Sequence, residues 1–182
     1  MRQIQNKSFG RKLFSGLVAL VLPILPGCFT GGSVEPVVGF GARCLGNTGI
    51  KYNSATSIGV RGKAKTKSKV EVEAEVSTYN TVGGAGIVNH DVTATEVSGN
   101  VLYPIWSNSK GDVYVGVGAT STSQTVTETA TGFPGSSTFD QSETDARAFV
   151  GGRLKAGKGN IDARVSAGSR GTTASLGYEF TF

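Results

Sequence analysis

The chain has 182 residues, a length that suits one domain, with 18 Lys and Arg against 13 Asp and Glu and 27 Gly. Four of the basic residues (Arg2, Lys7, Arg11 and Lys12) and none of the acidic ones fall in the first 27, so the remainder holds 14 basic against 13 acidic residues. That near balance removes the charge argument for nucleic acid as a partner, and a composition led by Ser, Thr, Val and Gly, with turn signals at short intervals, reads as all-β.

The four basic residues precede an apolar run from Leu13 to Pro26, the layout of a cleaved secretory signal over 1–27. The run is shorter than the roughly 20 apolar residues of a spanning helix, and no other run approaches that length, so a helical inner-membrane protein is excluded. It leads into Leu25-Pro26-Gly27-Cys28, which resembles a bacterial lipoprotein box. Leu25 and Gly27 fit that pattern and Pro26 departs from it. Cys28 is therefore the candidate lipidation site, with cleavage after Gly32 as the competing reading. A Cys28–Cys44 disulfide is disfavoured, because Cys44 ends the first predicted strand and the tether from Cys28 enters at the opposite end.

After a tether over 28–36, the first strand is predicted at Val37–Cys44, with Val38, Phe40 and Ala42 on one face and Gly39, Gly41 and Arg43 on the other. A loop over Leu45–Ala55 leads to a second strand, Thr56–Ala64, and a tight turn to a third, Lys69–Tyr79, where Val70, Val72, Ala74 and Val76 alternate with Glu71, Glu73 and Glu75. Asn80–Thr95 reads as a loop. The fourth strand is Glu96–Trp106, with Pro104 near its end because proline cannot donate to the ladder, and the fifth is Val113–Thr125. Val126–Ser142, around Gly132-Phe133-Pro134-Gly135, reads as the longest irregular segment. Strands at Glu143–Leu154, Ile161–Ala167 and Gly171–Phe182 complete a set of eight. Connections that are short at one end and mostly long at the other are the layout of an eight-stranded antiparallel up-and-down transmembrane β-barrel, here 37–182.

The polar row collects Arg43, Arg61, Arg147, Arg153 and Arg164 with Glu71, Glu73, Glu75, Asp162 and Glu179, while the opposite row carries no charge. Turned inward, these charges can neutralise one another as hydrogen-bonded pairs. The other row is mostly Val and Ala, with Tyr103, Ile105, Tyr178, Phe180 and Phe182 toward strand ends, as in a lipid-facing band with aromatic girdles. The last strand stops on Phe182 with no polar tail, where a soluble edge strand would be blunted by charge or proline. Eight strands leave an interior that side chains fill, so a plugged barrel and not a solute pore is expected.

On this strand pattern, this loop asymmetry and the ending Tyr178-Glu179-Phe180-Thr181-Phe182, the segment Val37–Phe182 resembles the small eight-stranded outer-membrane barrels, similar to the outer-membrane protein A transmembrane domain and to opacity- and adhesion-type surface proteins. The resemblance implies the bacterial outer membrane as location, its lipids as surroundings, and reading of Tyr178, Phe180 and Phe182 by the barrel-assembly machinery. A monomer is expected, with an extracellular partner met through the loops Leu45–Ala55, Asn80–Thr95 and Val126–Ser142. No peptidoglycan-binding domain is expected after the barrel.

No catalytic, cofactor-binding or metal-binding residue is assigned. His90, the only histidine, followed by Asp91, reads as an exposed turn. Glu71, Glu73 and Glu75 lie about 6.6 Å apart in sequence order along a strand, too far to share one ion without other ligands. Lys65, Lys67, Lys69, Lys110, Lys155 and Lys158 fall at the short turns, and the long loops carry Asp91, Glu128 and Asp140, which does not support binding of phosphates or sulfated glycans. Gly39-Phe40-Gly41 and Gly116-Val117-Gly118 sit inside strands, where they are expected to make room for interior arginines. The leading reading is a structural or surface-interaction outer-membrane barrel. The alternatives are a periplasmic soluble or lipid-anchored barrel holding a small apolar ligand inside a Val/Ala row, and a lipid-modifying enzyme built around His90.

Overall fold

The computed structural model describes residues 29–41, 53–85, 87–132 and 134–182. The signal segment 1–27, Cys28, Arg43, Cys44 and most of Leu45–Ala55 lie outside the described residues. Eight strands follow one another: β1 (Phe29–Gly41), β2 (Ala55–Thr66), β3 (Glu71–Ala85), β4 (Val88–Asn108), β5 (Gly111–Ala130), β6 (Ser136–Ala156), β7 (Gly159–Gly168) and β8 (Gly171–Thr181). Each pairs antiparallel with the next, and β1 pairs antiparallel with β8, so the sheet closes. Closure gives every strand in the lower cylinder two neighbours and removes the free edges an open sheet would leave.

Alternation decides which way each side chain points. Outward Val34, Val38, Phe40, Ile58, Val60, Val101, Val117, Val150, Val165 and Leu176 are 42–64% exposed, while Glu35, Arg61, Glu73, Asp162 and Glu179 are at most 2% exposed. A water-soluble core has the opposite arrangement. Tyr103, Trp106, Phe180 and Phe182 stand exposed at the end of the cylinder that carries the short turns. The Phe182 amide donates to the Gly32 carbonyl at 3.1 Å, so the last residue remains in the ladder.

Three boundaries differ from the sequence expectation. Residues 29–36 are not a tether but the first part of β1, with Pro36 opposite Val60. Pro36 hid this because it lacks a ladder donor, and the β1–β8 pairing indeed skips from Val34 to Val37. Asn80–Thr95 and Val126–Ser142 are not long loops. β3 runs to Ala85 and β4 starts at Val88, while β5 runs to Ala130 and β6 starts at Ser136.

The second difference has a physical cause. On β3 to β6 the outward row changes from Val76 and Val97 to a cross-strand set of Thr78, Thr95, Ser123 and Ser142, and remains almost wholly polar beyond it. The apolar alternation stops where the wall leaves the hydrophobic belt, but the sheet continues, because Thr and Val retain high β-propensity in water. From Ser121 to Ala130 the strand climbs about 30 Å of chain, or about 20 Å above the belt at a barrel tilt near 45°. Among the described residues, β3 to β6 therefore form a raised wall, while β7, β8, β1 and β2 end lower.

Inside, glycines admit large neighbours. A Cβ at Gly151 would collide with the Tyr114 ring and hydroxyl, and one at Gly177 with the Glu35 carboxylate. The residues admitted at these two positions are a tyrosine and a glutamate, and at Gly116 and Gly118 they are Phe149 and Asn100, not the arginines expected from the sequence. Gly151→Ala should lower stability by about 1–3 kcal/mol through overpacking. Outward-facing Gly152→Ala, whose Cβ meets nothing closer than 3.5 Å, should stay within about 0.5 kcal/mol. Urea midpoints of the folded barrel, read by heat-modifiable migration, check the pair.

Candidate functional site: the charged lumen and the raised wall

The lumen is built in layers. Nearest the short turns, the Lys63 ammonium on β2 lies 2.6 Å from Glu35 on β1, 2.7 Å from Asp162 on β7 and 4.0 Å from Glu179 on β8. Arg153 on β6 donates to Glu71 at 2.8 Å and Asp112 at 2.9 Å. Glu179 accepts from Ser33 at 2.5 Å and from Asn160 at 3.0 Å. These charges are out of water, so each depends on its partners to offset the cost of desolvation.

The middle layer combines charge with aromatic rings. Arg164 on β7 grips Glu73 on β3 with two nitrogens, at 2.7 and 2.6 Å, the fork-on-carboxylate geometry that makes the strongest such pairs. Asn100 donates to the same carboxylate at 2.8 Å. The Tyr114 hydroxyl donates to Asp162 at 2.6 Å and accepts from Arg164 at 3.2 Å. The guanidinium carbon of Arg164 lies 4.4 Å from the Phe149 ring centre, and that of Arg153 4.9 Å from the Tyr114 ring centre, both within cation–π range. Buried Leu102 completes this layer with Tyr114 and Phe149.

Above it, Arg61 donates to Glu75 at 2.7 Å, to Glu35 at 3.1 Å and to Ser175 on β8, and Arg147 lies 3.0 Å from Glu96. A polar cavity of about 30 Å³ remains between Arg61, Glu75, Glu96, Arg147 and Arg164, room for a water or two. Ala55, Tyr79, Val92, Ala94 and Val126 form a buried, mostly apolar cluster over it at the base of the raised wall. His90 is not an exposed turn: it lies in β4, 5% exposed, facing inward with Nδ1 3.5 Å from Glu128.

Of the interior residues picked from sequence, Arg61, Glu71, Glu73, Arg153, Asp162, Arg164 and Glu179 lie together and buried. Glu75 and Arg147 border the cavity, with side chains 20% and 18% exposed. Glu71, Glu73 and Glu75 each meet a different arginine: Arg153, Arg164 and Arg61. Among the described residues, no group of three or more His, Cys, Asp and Glu is arranged to hold a metal ion.

Sequence reasoning missed Glu35, Lys63, Glu96, Asp112 and Arg170. The alternation Ser33-Val34-Glu35-Pro36-Val37 was the available signal for Glu35, and Lys63 sits two residues after Arg61 on the same face. Arg170 is an inward residue of the β7–β8 turn, 3.0 Å from Glu143.

No family model matches the sequence, and no curated protein matches it. Solved structures do match. Neisserial surface protein A superposes with a TM-score of 0.59 at 11% identity, over 81% of this chain and 94% of that one. The N-terminal β-barrel domain of Pseudomonas aeruginosa OprF gives 0.53 at 19%, over 84% and 100%. Ail, the attachment invasion locus protein of Yersinia pestis, gives 0.52 at 14%, over 82% and 99%. The chain has the fold of the small eight-stranded outer-membrane β-barrels.

In this outer-membrane-type barrel the lumen pairs join strands that are not neighbours: β2 to β7 through Lys63 and Asp162, β3 to β7 through Glu73 and Arg164, and β3 to β6 through Glu71 and Arg153. They cross-brace the cylinder as hydrogen bonds between adjacent strands cannot. Lys63→Met should cost about 3–5 kcal/mol, because it strands Glu35 and Asp162 without their shared cation. The double change Glu73→Met with Arg164→Met should cost less than either single change. Unfolding midpoints of the four variants in detergent test both statements.

Proposed function

We propose that this protein is an integral barrel of the bacterial outer membrane that displays its raised wall at the cell surface and conducts no solutes. The observation that carries the reading is the uncharged outward belt, which gives way to hydroxyl side chains across β3 to β6 at Thr78, Thr95, Ser123 and Ser142. A wall rising about 20 Å beyond hydrocarbon clears a headgroup layer of about 5–8 Å. The segment 1–27 would deliver the chain for export, and Tyr178, Phe180 and Phe182 on the closing strand would be read by the assembly machinery. The barrel would function as a monomer.

Packing of Leu102, Tyr114 and Phe149 between the arginines supports a closed lumen. The reading as a soluble barrel around an apolar ligand is disfavoured, because its Val/Ala row faces outward and the cavity is polar. His90 is given no reaction, and an unchanged envelope lipid composition in His90→Ala cells would agree with that.

Ail has been solved with the heparin analogue sucrose octasulfate. The described raised wall of this chain, residues 78–95 and 121–144, carries Asp91, Glu128, Asp140 and Glu143 and no Lys or Arg, so a polyanion is a poor match for it.

Val117→Arg in the belt should cost about 2–4 kcal/mol and lower the folded, membrane-inserted fraction, while Thr125→Arg on the raised wall should leave that fraction unchanged. Fractionation and heat-modifiable migration read both variants. Recovery of the unmodified protein in the soluble periplasm would overturn the membrane reading.

A further inference from the structure

The end of the cylinder that carries the short turns has a charge pattern opposite to that of the raised wall. The turns between β2 and β3, β4 and β5, and β6 and β7 hold Lys67, Lys69, Lys110, Lys155 and Lys158, all exposed. Lys65, at the start of the first turn, reaches Glu71 at 3.4 Å. Among the described residues, the other five ammonium groups have no acidic partner. The carboxylates nearest them are turned away: Glu71 and Asp112 both hold Arg153 in the lumen, at 2.8 and 2.9 Å. The barrel's own side chains therefore leave the positive charge of this rim uncompensated.

The turns that carry the lysines are pinned. The Thr66 amide and hydroxyl both donate to the Val70 carbonyl, at 2.9 and 2.7 Å. The Asn108 side-chain oxygen accepts from the Lys110 and Gly111 amides at 2.8 and 3.0 Å. The Lys155 amide donates to the Lys110 carbonyl at 2.8 Å, which ties the second turn to the third. The cations are thus held at set places around the rim from β2 to β7.

Their height decides what they can meet. Leu154, the residue before Lys155, is 65% exposed on the outward face, and Trp106 stands exposed at the same end. The apolar belt therefore runs up to the turns. A lysine stem that starts there lies along apolar surface while its ammonium reaches the headgroup layer. Cations spread over three turns also suit several small anions that arrive separately better than they suit one polymer.

We infer that this lysine rim binds the headgroups of anionic phospholipids in the leaflet that the short turns face. Each lipid phosphate meets an ammonium group while its acyl chains lie against the belt beside Leu154 and Trp106. The inference rests on the outer-membrane reading, and its test separates the two.

Trp106 is the only tryptophan, so its fluorescence reports the lipids at this rim. The full-length protein is placed in phosphatidylcholine nanodiscs. A minor fraction of the lipid is either phosphatidylglycerol or phosphatidylcholine, brominated on the acyl chains near the headgroup. At low salt, brominated phosphatidylglycerol should quench Trp106 about two- to threefold more than the same fraction of brominated phosphatidylcholine, and the excess should shrink as salt is raised. Lys67→Gln, Lys69→Gln, Lys110→Gln, Lys155→Gln and Lys158→Gln made together should abolish the excess, and arginine at the same five positions should retain it. Heat-modifiable migration verifies that both variants are folded. Polyglutamate added to discs of phosphatidylcholine alone supplies an acidic polymer for comparison. Equal quenching by the two lipids, an excess that survives the five glutamines, or lysine-dependent binding of polyglutamate without a lipid preference would overturn the inference and leave the membrane reading standing. A Trp106 quenched by neither lipid would remove both.

Discussion

A charged side chain that crosses the lumen to a carboxylate on a distant strand is the contact the rest of the molecule depends on. Lys63 between Glu35 and Asp162, and Arg164 forked onto Glu73, hold together walls that share no backbone hydrogen bonds. A closed sheet fixes its circumference through its ladders, but its cross-section can flatten unless something spans it. Here the spanning groups are ionic, because the cylinder's outer face is apolar and every polar side chain of the lower strands must find its partner within. Removing one partner leaves a buried charge with nowhere to go, which is why such pairs resist piecemeal change.

The same inversion organises the aromatic layer and the glycines. Tyr114 can lie flat across the lumen, sharing its hydroxyl between Asp162 and Arg164, only because Gly151 leaves its ring uncrowded. Glu35 reaches Arg61 and Lys63 across the bare backbone of Gly177. Large polar groups therefore fill much of the lumen, and a cavity of about 30 Å³ remains near Arg61 and Arg147.

Above the belt the constraint changes, and so does the surface. The strands no longer need an apolar exterior, so Thr, Ser and Asn replace Val and Ala while the ladder persists. Among the described residues the strands therefore differ in height, with β3 to β6 rising above the others.

Much of this was legible in the residues themselves. Alternation in Lys69–Tyr79 and in Gly171–Phe182, together with the charge-free row, set the number of strands, the inward direction of the arginines and the barrel class, because a period of two leaves only one choice of face once one row is free of charge. The extent of β1 and the height of the wall were not legible. Pro36 imitates a strand breaker, and a threonine-rich strand in water has lost the apolar alternation by which strands are read. Only the closed tertiary structure decided which carboxylate meets which cation. Glu73 and Arg164 are 91 residues apart in the chain, and nothing along it records that curvature brings β3 and β7 face to face across a lumen the width of two side chains.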